Sequence, residues 1–285
     1  MSHTYREISY TSQDGLALFC REYAAAQPRG TVVCLPGLTR NSRDFTALAT
    51  HLAARYRVLT PDLRGRGNSQ WDPQLTHYHP KTYYQDVLQL LSDAVNGPAT
   101  IIGTSLGGIL AMSLAAMAAD RVAGIVLNDI GPELAQEGVA RIAGYVGVRG
   151  APGTWENAVE QVRTNYGLAY PDFTDADWLA YARASHRERD DGTVIADYDP
   201  AIGAALRAAP GGTLDLWPMW AAIQKPVLAI RGSRSDILSA ATFDRMLQEK
   251  PMLVRIEEPN RGHVPLLNEP AVLAGIDAFL AGIFP

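Results

Sequence analysis

Short apolar segments alternate with helix-like segments along the first half of the chain. The segments GTVVCLP, YRVLTPD, ATIIG and VAGIVLND are rich in aliphatic residues, as expected for strands that are buried on both faces of a sheet. Between them, segments such as SRDFTALATHLAARY and TYYQDVLQLLSDAV repeat apolar side chains at helical spacing. Because two parallel strands need a crossover to join them, this alternation predicts an α/β fold with a mostly parallel sheet flanked by helices.

Two parts of the chain depart from this alternation. At the start, REISYTSQDGLALFCREY predicts an antiparallel hairpin whose turn contains Asp14 and Gly15. Later, the strand pattern lapses over residues 131–215, where we predict helices around 155–163 and 175–187 among several aromatic residues. This second part is most simply an insertion between two strands of the sheet.

The alternation resumes after the insertion with the strand KPVLAIRG and the strand MLVRIEE. A helix is predicted near residues 240–249 and a final helix over about 265–280. We therefore expect an α/β core formed by residues 1–130 and 216–285, with a helical cap formed by residues 131–215 inserted between two late strands.

Composition and charge exclude several classes of protein. The 285 residues are 47% hydrophobic and 19% charged, which is ordinary for a soluble globular protein, and the net charge of -5 argues against a nucleic-acid or anionic-membrane partner. We find no signal peptide and no run of 18 apolar residues, so we expect a cytoplasmic protein without a membrane partner. The two cysteines, Cys20 and Cys34, lack metal-ligand spacing and are expected to be buried free thiols.

The segment IIGTSLGG contains a candidate nucleophile. Ser105 has Gly103 and Gly107 two places to either side, directly after a buried strand and before an apolar helix. A sharp strand-to-helix turn here would raise the serine hydroxyl at the carboxyl edge of the sheet, where open α/β folds bind ligands. The glycines would relieve the crowding that side chains cause in such a turn, and the helix N-terminus would favour an oxyanion.

A serine nucleophile needs a base, and the chain offers one well-placed histidine. His263 lies in NRGHVPLLNEP, a loop that follows the last predicted strand at the same edge of the sheet as Ser105. The competing His186 lies in the charged segment RASHRERDD, which predicts a solvated helix residue without a catalytic role.

Two aspartates compete to orient that histidine. Asp236 lies in RGSRSDILS, just past the strand PVLAI, and Asp129 lies in VLNDIGPEL, just past another strand. We prefer Asp236. Asp129 is the alternative acid, although its side chain could instead bind backbone N–H groups where the chain turns into the insertion.

These motifs together resemble the α/β-hydrolase fold. The order Ser105, Asp236, His263, the serine turn, and the segments PDLRGRGNS, GSRSDILS and GHVPLLNEP all match that superfamily, in its serine-nucleophile branch with a cap domain. The resemblance implies an eight-stranded sheet whose first hairpin is antiparallel to the rest, and the insertion corresponds to the cap over the active site. It also implies a strand between those carrying Cys20 and Cys34, which argues against a disulfide.

The resemblance further implies an oxyanion hole formed by backbone N–H groups. Leu106 follows the nucleophile and supplies one donor, and Leu38 in CLPGLTRN supplies the second. Relatives usually have His-Gly where this chain has Pro36-Gly37. Because the second donor follows Gly37, we expect the oxyanion hole to persist in a loop that is braced differently.

The implied reaction is acyl transfer to water, with Ser105 as nucleophile, His263 as general base and no metal or organic cofactor. A serine at this position argues against the aspartate-dependent dehalogenases and epoxide hydrolases of the superfamily. We expect a hydrolase of a small, fairly apolar carboxylic ester or lactone. A carbon–carbon bond hydrolase of vinylogous diketones is the nearest alternative, and a catalytically inactive ligand-binding protein is the alternative of another class.

Aromatic residues of the insertion are the candidates for a substrate pocket, because small apolar ligands bind in clefts lined by such side chains. The candidates are Trp155, Tyr166, Trp178 and Tyr181.

Overall fold

Eight strands form one sheet at the centre of the protein. The computed structural model describes residues 5–148, 153–208 and 215–285. The sheet has the strand order β1-β2-β4-β3-β5-β6-β9-β10, and two further strands, β7 and β8, form a separate hairpin. The strand bounds are β1 Arg6–Thr11, β2 Ala17–Ala24, β3 Thr31–Leu35, β4 Arg57–Asp62, β5 Ala99–Thr104, β6 Val122–Asn128, β7 His186–Glu188, β8 Val194–Ala196, β9 Val227–Gly232 and β10 Val254–Glu258.

The sheet is parallel except at β2, which runs antiparallel to both of its neighbours. Of the first hairpin, only β2 and not β1 is therefore antiparallel to the rest of the sheet. The predicted first hairpin is confirmed, and Gly15 in its turn has a φ of 92°, which favours glycine. Cys20 on β2 and Cys34 on β3 are buried free thiols with β4 between their strands, as expected. The mostly parallel, eight-stranded α/β fold is therefore confirmed.

Helices cover both faces of the sheet. Their bounds are α1 Thr46–Leu52, α2 Pro80–Ala94, α3 Leu106–Met117, α4 Gln136–Tyr145, α5 Trp155–Tyr166, α6 Asp175–Ser185, α7 Ala201–Ala208, α8 Trp217–Ala222, α9 Ala240–Glu249 and α10 Pro270–Ile283. The last helix begins five residues later than the predicted 265, because Pro270 occupies its first turn and the preceding residues form a loop. None of the described helices is long and apolar enough to cross a membrane.

The alternation of side chains along each strand creates two cores. On β3, Val33 and Leu35 pack with α2 and α3 on one face, whereas Val32 and Cys34 pack with α1 and α10 on the other. All four side chains are fully buried, and burial of each aliphatic one contributes roughly 1.5–3 kcal/mol to folding. A strand buried on both faces explains why the sequence pattern here is continuous rather than alternating.

The chain between β6 and β9 forms the insertion. Its residues 131–215, the predicted helical cap, contain α4 to α7 and the short β7–β8 hairpin, and α8 follows them before β9. Trp178, Tyr170, Val162 and Val194 belong to a small hydrophobic cluster of its own. This cluster gives the insertion enough buried apolar surface to hold its helices in place above the carboxyl edge of the sheet.

Candidate active site

Ser105 lies at the turn between β5 and α3. Its backbone has a φ of 52° and a ψ of -116°, a conformation that a residue with a Cβ rarely adopts. The two glycines permit the close packing of this turn. A Cβ on Gly103 would collide with the carbonyl of Gly107, and a Cβ on Gly107 would collide with the carbonyl of Leu35. The sequence therefore holds the serine above the N-terminus of α3.

His263 contacts the Ser105 hydroxyl directly. The distance from His263 Nε2 to Ser105 Oγ is 2.9 Å, which is hydrogen-bonding distance. The loop that carries His263 is held from two sides, since Asn128 donates through Nδ2 to the Pro265 carbonyl and Tyr170 donates its hydroxyl to the Val264 carbonyl. The expected pairing of Ser105 with His263 is thus present in the structure.

Asp129 is the acid that lies against this histidine. Its Oδ2 is 2.8 Å from His263 Nδ1, and the carboxylate also accepts hydrogen bonds from the Gly232 N–H and the Ser235 hydroxyl. The side chain is completely buried. Asp129 follows the last residue of β6 with a φ of 55°, so its backbone, like that of Ser105, is held in the left-handed region.

The expectation that Asp236 orients His263 is wrong in this structure. The Asp236 carboxylate instead forms a two-point ion pair with Arg141 on α4, at 2.5 Å and 2.9 Å. Burial alone would raise the pKa of Asp236, but the bonds from Arg141 outweigh it and hold the pKa below its ordinary value.

Spacing along the sequence could not separate the two aspartates. Both follow neighbouring strands, β6 and β9, and both therefore reach the same edge of the sheet. The left-handed backbone at Asp129 directs its side chain towards His263, whereas Asp236 lies beyond a turn closed by the Ser235 N–H and the Gly232 carbonyl. Tertiary contacts determine the backbone geometry of these two loops, and no residue pattern in either loop predicts it.

The backbone N–H groups of Leu38 and Leu106 are free to bind an oxyanion. Among the described residues the Leu38 N–H has no backbone acceptor, and Leu106 is the first residue of α3, where a helix provides no acceptor for the N–H. The Leu38 loop is held by Arg66, whose Nε donates to the Leu38 carbonyl at 2.9 Å and whose Nη1 donates to the Arg64 carbonyl. Arg66 is completely buried and supplies a brace for the loop that contains Pro36.

A cavity of about 440 Å³ opens beside the serine, a size suited to a small organic ligand. Of the predicted pocket residues, Tyr166 and Tyr181 line it. Trp155 and Trp178 do not, since the Trp155 indole donates to Glu188 and Trp178 is buried in the cluster of the insertion. The cavity residues that the sequence did not predict include Arg40, Ile142, Tyr145, Tyr170 and Phe173.

His186 is buried, so the expectation of a solvated histidine is wrong. It lies where α6 ends and β7 begins, is 5% exposed, and has Nε2 at 3.1 Å from the Gln161 side-chain oxygen. It does not contact Ser105. Burial lowers the pKa of His186 below the ordinary value of 6.5.

The buried state of His186 predicts a pH dependence of stability. Just below pH 6.5 the unfolded chain gains a proton at this histidine before the folded chain does, so the free energy of unfolding decreases as the pH falls through that window. We expect His186→Gln to weaken this decrease, as measured by urea unfolding at pH 7.5 and pH 5.5. Equal decreases in the wild type and the variant would contradict the prediction.

One group of side chains approaches metal-ligand geometry. Asp14, Asp72 and His77 bring their ligand atoms together, but Arg64 already donates to both carboxylates, at 2.8 Å and 2.5 Å. A buried guanidinium at this position supplies the positive charge that a cation would otherwise supply. We therefore assign this group a structural role.

Comparison with known proteins identifies relatives over nearly the whole chain. The profile of the Alpha/beta hydrolase family matches residues 32–276. The 3-hydroxybutyrate-oligomer hydrolase of Cupriavidus necator is 33% identical over 90% of both chains, and the 2-(acetamidomethylene)succinate hydrolase of Mesorhizobium japonicum is 28% identical over 80% of this chain and 79% of its own. The crystal structure of an alpha/beta hydrolase from Novosphingobium aromaticivorans superposes with a TM-score of 0.92, at 41% identity over 97% of this chain and 98% of that one.

Proposed function

Because the chain belongs to the alpha/beta hydrolase family, we propose that it is a serine hydrolase that cleaves carboxylic esters through Ser105, His263 and Asp129. The observation that carries this proposal is the continuous hydrogen-bonded chain from the Asp129 carboxylate through the His263 ring to the Ser105 hydroxyl. An inactive ligand-binding protein would have no need for two strained backbone positions at the ends of that chain.

The reaction proceeds in two acyl-transfer steps. Ser105 Oγ attacks the ester carbonyl while His263 Nε2 takes its proton, and Asp129 holds Nδ1 protonated and stabilises the imidazolium. The N–H groups of Leu38 and Leu106 bind the oxyanion. His263 returns the proton to the leaving alcohol and then activates water, which releases the acid and restores the serine.

The proposed substrate is a small, fairly apolar carboxylic ester. The cavity beside Ser105 has apolar walls formed in part by Ile142, Phe173 and Leu266, two of which belong to the insertion, and this supports a cap role for residues 131–215. The relative that hydrolyses 3-hydroxybutyrate oligomers, at 33% identity, supports short-chain hydroxy-acid esters as the substrate class.

Covalent labelling tests the nucleophile. We expect a fluorophosphonate to add one phosphonyl group to Ser105, located by peptide mass spectrometry, and to block hydrolysis of 4-nitrophenyl butyrate in step with labelling. Ser105→Ala serves as the control and should take up no label. Labelling of a different serine, or unchanged hydrolysis by Ser105→Ala, would overturn the proposal.

A further inference from the structure

Arg40 lies close to the candidate nucleophile without any part in the acyl-transfer steps. It is on the loop between β3 and α1. A Cβ on Gly37 would be 3.5 Å from Arg40 Cγ and 3.8 Å from Ser105 Cβ, so a single glycine separates the two side chains. The Arg40 side chain is 11% exposed, and its guanidinium carbon lies 4.3 Å from the centre of the Tyr181 ring.

One edge of the Arg40 guanidinium is fixed by Asp44. Nε and Nη2 donate to the two oxygens of that carboxylate, at 2.7 Å and 2.5 Å. A guanidinium carries five N–H donors, and within the described parts of the chain these are the only two hydrogen bonds that the Arg40 side chain makes. The end edge, formed by Nη1 and the second N–H of Nη2, therefore has the geometry to bind a second carboxylate in bidentate fashion.

The other charged side chains of the cavity are already engaged. Arg43 donates to the carbonyls of Ala184 and His186 and to the Asp197 carboxylate. Arg43 therefore keeps only the two N–H groups of Nη1. The Asp177 carboxylate accepts from the backbone and side chain of Thr174 at the N-terminus of α6. Among the described charged residues that line the cavity, Arg40 is the one that keeps a complete end edge, with an N–H on both Nη1 and Nη2.

Arg40 also lines two neighbouring cavities. A second cavity, of about 460 Å³, shares Thr39, Arg40, Tyr145 and Tyr166 with the cavity beside Ser105. The Tyr145 and Tyr166 rings are 5.7 Å apart and form part of this shared wall. A ligand chain that extends from Ser105 along this shared wall therefore meets Arg40, a cation whose position is fixed by Asp44.

We propose that Arg40 binds a carboxylate of the substrate, so that the preferred substrates are esters that carry a free carboxylate, such as linear hydroxy-acid oligomers or half-esters of dicarboxylic acids. The inference rests on the proposed ester hydrolysis and names the substrate class of that same site. The free carboxylate belongs either to the acyl part or to the alcohol part of the substrate ester. Arg40 is a specificity-determining residue in this scheme and takes no part in bond cleavage.

Two pairs of substrates test the proposal and distinguish the two sides. The acyl-side pair is the mono-4-nitrophenyl ester of adipic acid and its methyl-capped diester. The alcohol-side pair is the linear dimer of 3-hydroxybutyrate and its methyl ester. In at least one pair we expect kcat/KM to be at least tenfold higher for the free acid, mainly through a lower KM. Ratios near one in both pairs would overturn the proposal.

Variants locate the effect at Arg40. We expect Arg40→Met to lower the ratio of kcat/KM for acid over methyl ester at least tenfold, and Arg40→Lys to retain part of it, since an ammonium keeps the charge without the planar fork. The matched control is Arg43→Met, on the same cavity wall. It should leave the ratio unchanged, because Nε and both N–H groups of Nη2 of Arg43 bind the insertion and leave no end edge for a carboxylate. Equal ratios in the two methionine variants would contradict the assignment.

A binding measurement separates failure of this inference from failure of the proposed function. In Ser105→Ala, titration calorimetry with adipate should show binding, and adding Arg40→Met should raise the Kd at least tenfold. Dimethyl adipate should show no such difference. Unchanged adipate binding in the double variant would overturn the carboxylate site even if ester hydrolysis were established. Absence of any ester turnover would refute the proposed function while the adipate titration still decided the role of Arg40.

Discussion

Replacing Asp129 by asparagine is expected to lower kcat for ester hydrolysis by about four orders of magnitude. The Asp129 carboxylate lies 2.8 Å from His263 Nδ1 and is completely buried, so water cannot take over its role. An asparagine would present an amide that can donate its N–H to Nδ1 and so stabilise the wrong ring tautomer. The measurement is kcat with 4-nitrophenyl butyrate at pH 7.5, with circular dichroism to verify that the variant is folded.

Asp236→Asn is the matched control, because it makes the same chemical change at the same edge of the sheet. Asp236 pairs with Arg141 in a partly exposed position, with about 30% of each side chain accessible, and such pairs contribute little to stability. We expect its kcat to remain within about tenfold of the wild type. The reverse order, with Asp236→Asn as the more damaging change, would transfer the orienting role to Asp236.

The order of elements was predictable because it depends on local patterns. The apolar runs around Val33 and Ile101, the turn at Asp14 and Gly15, and the glycines around Ser105 each encode a short-range structural requirement that sequence spacing preserves. The proximity of Ser105 and His263 was predictable as well, because both follow strands and the carboxyl ends of parallel strands meet at one edge of the sheet.

The choice of acid and the cavity walls were not predictable in that way. Asp129 and Asp236 follow neighbouring strands, and which of them reaches His263 depends on loop conformations that contacts distant in sequence determine. The cavity lining depends on which face of each helix of the insertion turns inwards. Tyr166 and Tyr181 face Ser105, whereas Trp178, three residues before Tyr181, packs into the cluster of the insertion. A hydrophobic pattern alone does not distinguish a cavity wall from a small core.

Arg66 braces the loop that carries Pro36 and Leu38. The guanidinium is completely buried, and among the described residues it pairs with no carboxylate and leaves Nη2 without a partner. It lies over the Tyr83 ring, 4.6 Å from the ring centre, and donates to the Leu38 carbonyl. Burial of a guanidinium without a carboxylate partner costs free energy. A contribution to stability therefore does not explain why an arginine occupies this position. Its hydrogen bond to the Leu38 carbonyl predicts that it holds Leu38 in the conformation that the proposed oxyanion hole requires.

Arg66→Met is therefore expected to lower kcat about ten- to a hundredfold with little change in KM, because the oxyanion forms only after substrate has bound. The apolar replacement removes a costly buried charge, so thermal unfolding should shift by only a few degrees. Arg66→Lys retains the charge but loses the two-directional fork to the carbonyls of Leu38 and Arg64, and its kcat should lie between those of the wild type and Arg66→Met. An unchanged kcat in Arg66→Met would mean that Leu38 is held by the rest of its loop. A loss of kcat that follows thermal unfolding would mean that Arg66 supports the fold rather than the oxyanion hole.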